Sequence, residues 1–363
     1  MQRILAVDAP GRGSPGRAVG PERTTVLKGA RLPTTEAVKR VYLDQWVWVK
    51  LARAALGRLD DRQVLDVLEA ARFGAAHGLA DFPLSAIHYM ELTSGASPRQ
   101  RRDLTPVILE LSHGHTMLSS GTPILEGELD ESLYRRFGRP RERRTAQIFG
   151  VGIMHAMGRE PLAGRIVGKD GGPAPMDPGQ RRFLEEKLTA LAEVLLLTGP
   201  AEGVVVPGYD PRAHLVVNDR WVAEQEAFAE KLRQLPANKR NDAHYARAWF
   251  LELLPLLPEA LRRAHLPWSA IPDSKEALTA ILRDLPTLWA WTELTRLQHQ
   301  NPTRAWRLQD FNDLRALTVA IVHCDIVVFE KHWSNLARRA HLDVLNGTTL
   351  STLENLIPHL VSN

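Results

Sequence analysis

The chain has 363 residues, 44% of them hydrophobic and 24% charged, enough to bury a sizeable core and to exclude a disordered protein. Its single cysteine, Cys324, excludes a disulfide framework and a zinc site of several thiolates. Lysine and arginine exceed acids by four, which does not announce a nucleic-acid binder, and no apolar run approaches the roughly 20 residues of a membrane span. A cytoplasmic protein is expected.

Residues 1–38 read as a flexible arm rich in Gly, Pro and Arg. Gly11, Gly13 and Gly16 fit the spacing GxGxxG, but Gly20 and Pro21 disfavour the helix that would receive a pyrophosphate. Order begins with KRVYLD, a short strand over 39–44, followed by a helix from Gln45 to Leu56 and a second from Asp60 to Ala76. DFPLS predicts a brief strand and Ala86 to Thr93 a helix. A helix then runs to Ser112, and GHTMLSS, residues 114–120, reads as a third strand; His113 and His115, weighed as metal ligands, are expected to be loop residues instead.

From about Asp130 the pattern is almost wholly helical, with segments 179–198, 212–235, 239–264 and 274–300. Trp221, Trp249, Trp289 and Trp291 are expected to form a core of their own there. The α/β pattern returns with a helix from Asp313 to His323, an apolar strand DIVVF and a helix from His332. The expected fold is therefore α/β, a parallel sheet flanked by helices and split by an all-helical insertion. Its parts are an arm over 1–38, a core over 39–129, the insertion over 130–306 and the rest of the core over 307–363.

Ligands of a parallel sheet gather at the carboxyl ends of its strands. Asp44 ends the first strand, Glu91 lies in the helix after the second, Asp313 is expected to open the helix before the last strand, and Glu330 follows that strand. Asp325 starts the strand that Glu330 ends, roughly 16 Å away, and is set aside. Crowded carboxylates repel unless protons or a cation intervene, and an oxygen-only site suits Mg²⁺ or Mn²⁺. A water on such an ion loses its proton near neutral pH, which points to phosphodiester hydrolysis. Taken singly, Asp44, Asp313 and Ser85 are equally read as helix caps, and Glu91 as a solvated helix residue.

LD at 43–44, SAIHYMELTSG at 85–95 and DLRALTVAIVHCDIVVFEKHW from Asp313 together resemble the PIN-domain ribonucleases, most closely a bacterial PIN-like subgroup with a YLDQ-type start and a long helical insert. The resemblance implies a PIN-like sheet and a magnesium- or manganese-dependent endoribonuclease acting on single-stranded RNA. Its metal ligands and catalytic acids would be Asp44, Glu91, Asp313 and Glu330. The sequence departs from the family at Trp46, where a small polar residue is common, and at Phe329, where Thr is usual. A PIN-like module binding RNA or a partner protein without cleavage is the alternative. A toxin held by an inhibitory protein partner, or a defence nuclease, also falls within what the resemblance implies.

Nucleic acid requires backbone cations. RRFGRPRERR supplies Arg135, Arg136, Arg139, Arg141, Arg143 and Arg144, and Arg296, Arg304, Arg307 and Arg315 lie near the third acid in sequence. A solvated, salt-bridged helix surface is the competing reading of both groups. Ser85 is a candidate to orient Asp44 or a water.

Overall fold

The structure is a computed structural model that describes residues 38–119, 121–138, 144–159, 168, 172, 174–200, 204, 210, 212–301 and 304–361. The expected arm, apart from Val38, lies outside the described residues, as do the GxGxxG glycines and Arg139, Arg141 and Arg143.

Strand β1 (Lys39–Leu43) is followed by helices α1 (Gln45–Ala55) and α2 (Arg62–Ala76). The second strand is broken into β2 (Ala80–Asp81) and β3 (Leu84–Ser85) because Pro83 lacks the N–H that a continuous ladder needs. Helices α3 (Ala86–Gly95) and α4 (Pro98–Ser112) lead to β4 (His115–Met117) and α5 (Gly121–Phe137). β5 (Phe149–Val151) follows inside the region expected to be wholly helical, a correction, and its antiparallel pairing with β4 gives it a partner that a lone strand would lack. His115, expected in a loop, opens β4 and pairs through Nδ1 with Asp81 at 2.7 Å.

The chain continues through α6 (Gly152–Ala156), α7 (Pro178–Thr198), α8 (Ala213–Gln234) and α9 (Ala237–Arg247). The helix expected over 239–264 is interrupted by a π-helical turn at Ala248–Leu253 before α10 (Leu257–Ala264). The one expected over 274–300 divides at Pro286 into α11 (Lys275–Arg283) and α12 (Pro286–His299), since proline sits well in a first turn but not mid-helix. Helix α13 (Leu308–His323), β6 (Ile326–Val328), α14 (Lys331–Arg339), α15 (Leu342–Asn346), β7 (Thr349–Ser351) and α16 (Ile357–Val361) complete the described chain.

The order β2-β1-β6-β7 forms one sheet, all parallel, and β3-β4-β5 forms a second. The short strands hold because they are buried: Ile326, Val327 and Val328 are each at most 3% exposed. Each such side chain contributes roughly 2 kcal/mol, enough to offset the about 1–2 kcal/mol of fixing one residue's backbone. From β1 the chain first builds on one side, through β2, and later returns to the other with β6. The strand order therefore reverses at β1, and a crevice is expected between the carboxyl ends of β1 and β6.

Apolar side chains divide into three clusters. One joins α1, α2, α3 and α4 to the sheet and draws Ile153 and Leu197 into it. A second surrounds α13 and includes Trp221, Leu294 and Trp333. A third is helical, formed by α5, α10, α11, α12 and Trp249. The four tryptophans thus do not share one core: Trp221 lies edge-on to Trp306 and tilted over Phe311 at the start of α13, both at 5.0 Å, because α8 packs directly on α13.

Candidate active site at the carboxyl edge of the sheet

Asp44 is set by the end of β1. Its backbone N–H donates to Val328 O at 3.0 Å, which extends the β1–β6 ladder by one residue. The chain then turns into α1, and the carboxylate caps the helix by accepting from the Gln45 N–H at 2.7 Å. Asp44 is 9% exposed. Burial, the largest influence, raises its pKa to about 7; the Gln45 N–H opposes this and the Glu330 carboxylate adds to it. The indole N–H of Trp46 also favours the charged form, although it makes no hydrogen bond of standard geometry.

Glu91 reaches the same edge from α3. Its pKa is raised to about 8, first by burial and then by the Asp44 charge, with the Asn312 side chain opposing and the Glu330 charge adding to the rise. Asn312 is itself oriented: Asn218 on α8 donates from Nδ2 to Asn312 Oδ1 at 3.2 Å and to Leu308 O at 3.1 Å. That leaves the Asn312 amide N–H₂ free to serve Glu91.

Asp313 does not open its helix, a correction to the sequence reading. The helix begins at Leu308 because Asp310 takes the capping role, accepting from the Arg307 N–H at 2.8 Å and from both guanidinium nitrogens of Arg304 at 3.0 and 2.6 Å. Asp313 is therefore released from capping. It accepts a hydrogen bond from the Trp333 indole at 3.1 Å. Burial raises its pKa to about 8, followed by the charges of Asp44, Glu91 and Glu330. Glu330 follows β6 and is exposed.

The four sequence-selected acids thus act on one another electrostatically at one sheet edge. Three other buried acids, Asp130, Glu293 and Asp310, are paired with Arg263, Arg296 and Arg304, whereas Glu193 and Glu128 are held by hydroxyl and backbone N–H donors. Among the described residues, the main influences on Asp44, Glu91 and Asp313 are burial, one another and hydrogen-bond donors, and none of the three forms an ion pair with lysine or arginine. An all-oxygen donor set with surplus negative charge fits a hard divalent cation in chemistry. Among the described residues, however, no three His, Cys, Asp or Glu side chains converge into a ready cage.

The other candidates are placed differently. Ser85 is fully buried, so it cannot touch a polymer, and its hydroxyl meets Tyr42 Oη and His88 Nδ1 at 3.3 and 3.2 Å rather than Asp44. Arg136 pairs with Asp284, Arg135 with Glu131 and Arg144 with Glu126, so the described arginines of the basic run are internally neutralised. Arg304 and Arg296 are held in the pairs above. Arg307 is exposed at the start of α13. Arg315, largely buried, donates to Ser119 O at 3.3 Å and lies over the Phe311 ring.

Sequence reasoning missed Asn218, Asn312, Trp333 and His88. Each is a polar group inside an otherwise apolar helix face, and that mismatch was the available signal. Comparison with protein-family models, with curated proteins and with solved structures returns no match. Among the described residues, no helix is long and apolar enough to cross a membrane.

Proposed function

We propose that this protein is a PIN-like, divalent-metal-dependent nuclease that hydrolyses phosphodiester bonds, with single-stranded RNA as substrate. The observation that carries the reading is the group of Asp44, Glu91 and Asp313: three largely buried carboxylates beside the strand-order reversal that raise one another's pKa and, among the described residues, form no ion pair with lysine or arginine. A carboxylate cluster of this kind costs folding free energy unless protons or a cation offset it, so its retention calls for a use.

Mg²⁺ or Mn²⁺ held by Asp44, Glu91, Asp313 and Glu330 would neutralise phosphate charge and activate water near neutral pH. The chain's own groups do the rest. Gln45 N–H holds one oxygen of Asp44, and the Glu330 backbone N–H and the Trp46 indole also favour its charged form. Trp333 fixes Asp313 from α14, and Asn218, through Asn312, biases Glu91 toward its charged form. Arg307 is the exposed cation at the start of α13, suited to a phosphate of the polymer.

The test is incubation of the full chain with single-stranded RNA and Mn²⁺, with and without chelator, beside Asp44→Asn. Metal-dependent cleavage that the variant lacks supports the reading; equal product from both would refute it. A second reading, a PIN-like module that holds RNA or a protein partner without cleaving, is favoured by the lack of a ready cage among the described residues. It predicts salt-sensitive RNA binding that Asp44→Asn leaves unchanged.

A further inference from the structure

The break between the two sheets is filled by a side chain. Along β1, Lys39 N–H meets Leu79 O on the β2 side, whereas Arg40 O accepts from Asp325 and Asp44 N–H meets Val328 on the β6 side. Odd-numbered residues of β1 therefore turn their backbone groups toward the second strand. Carried forward in register, the carbonyl of Val41 would face residue 83 and that of Leu43 residue 85. Residue 83 is Pro, with nothing to donate. Ser85 does have an N–H, but it donates at 2.9 Å to Nδ1 of His88. The opposite ring nitrogen, Nε2, lies 2.8 Å from Leu43 O.

An imidazole thus stands where one backbone hydrogen bond of about 2.9 Å would have joined the strands. The partners fix its chemistry. An amide N–H can only donate and a carbonyl can only accept, so Nδ1 is bare and Nε2 carries the proton, a neutral ring. His88 is 1% exposed. Leu43 O also accepts from Trp48 Nε1 at 3.1 Å, so both of its lone pairs are used. That carbonyl belongs to the peptide unit preceding Asp44, and Glu91 lies one helical turn beyond His88 on α3.

We propose that His88 is a positioning residue: it substitutes for the missing backbone bond between β1 and β3, anchors the peptide that presents Asp44, and sets α3 at the distance from which Glu91 reaches the crevice. The structural half stands on the hydrogen bonds alone; the link to Asp44 and Glu91 rests on the nuclease reading above.

The two ring nitrogens can be tested separately in the full chain. His88→Asn keeps an acceptor near the Nδ1 position, His88→Gln keeps a donor near the Nε2 position, and His88→Phe keeps the bulk but neither. Amide hydrogen exchange at Ser85 and Mn²⁺ binding by calorimetry are the readouts, with RNA cleavage as a third. Loss of one buried hydrogen bond corresponds to about tenfold. His88→Phe is expected to speed exchange at Ser85 and weaken Mn²⁺ binding, each by about that factor, with unchanged far-ultraviolet circular dichroism. His88→Asn should protect Ser85 yet lose Mn²⁺ affinity, and His88→Gln should do the reverse. Wild-type exchange and affinity in His88→Phe would overturn the proposal. If that variant does not fold, the Asn and Gln pair decides, and the opposite order overturns it. Should the wild-type chain bind no Mn²⁺, the nuclease reading fails, while exchange at Ser85 still decides whether His88 bridges the strands.

Discussion

Two carboxylates only three residues apart, Asp310 and Asp313, have opposite fates. Asp310 is 1% exposed and fully engaged by Arg304 and the Arg307 N–H, so it is a structural cap. Removing Arg304 strands a buried charge, and Arg304→Met is expected to cost about 3 kcal/mol of unfolding free energy in urea titration. Asp313 has an indole and three acids for company, so the same logic runs the other way. Asp44→Asn and Asp313→Asn should each reduce cleavage by at least about a hundredfold, while melting temperature at pH 8 stays level or rises because a buried uncompensated charge has gone. A variant that loses stability at pH 8 and keeps activity would contradict these roles.

At the scale of elements, what was legible follows from periodicity and what was not follows from partners. The first strand, α1, α7, α8 and β6 stand within a residue or two of their expected places, because apolar spacing and caps are local signals. Asp44 and Glu330 flank strands whose ends can be read, whereas Glu91 and Asp313 lie inside helices and follow from no strand end. The start of α13 was not legible, since the cap at Asp310 depends on a guanidinium six residues upstream folding back. Nor was β5, three residues long and dependent on β4 for its ladder. The contribution of α8 was also hidden, because Asn218 lies 94 residues from Asn312 and no local pattern joins them. Asn218→Ala removes two hydrogen bonds, at Leu308 O and Asn312 Oδ1, and is expected to cost about 1–3 kcal/mol in denaturant titration. If α8 serves the site, the same change also lowers cleavage per folded molecule; unchanged activity would confine α8 to packing.

For the whole molecule, the site ties stability to pH and to divalent cations. Unfolded carboxyls titrate near 4, whereas Asp44 is raised to about 7 and Glu91 and Asp313 to about 8, with burial as the first cause in each. Between those limits the folded state holds more protons than the unfolded one. Their contribution to stability is therefore complete below about pH 4 and lost as pH rises through 7–8. In chelator, melting temperature should fall between pH 7 and 8.5, above the range in which unfolded histidines titrate, and Mn²⁺ should restore it at the upper end, because a bound cation takes over from the protons. Glu128, buried between α5 and α12 and raised to about 7, adds a fall of the same sign that Mn²⁺ does not reverse. The cation-dependent part alone reports the site, and it should vanish in Asp44→Asn. A melting temperature at pH 8.5 that is indifferent to Mn²⁺ would mean that the carboxylates do not gather an ion.

Catalysis is the most direct test of what these carboxylates are for. A labelled single-stranded RNA is incubated with the full chain in Mn²⁺, in Mn²⁺ with excess chelator, and with Asp44→Asn in its place. Shortened RNA is expected in the first reaction and intact RNA in the other two; intact RNA in all three, or cleavage that survives both chelator and the substitution, would contradict a metal-dependent nuclease.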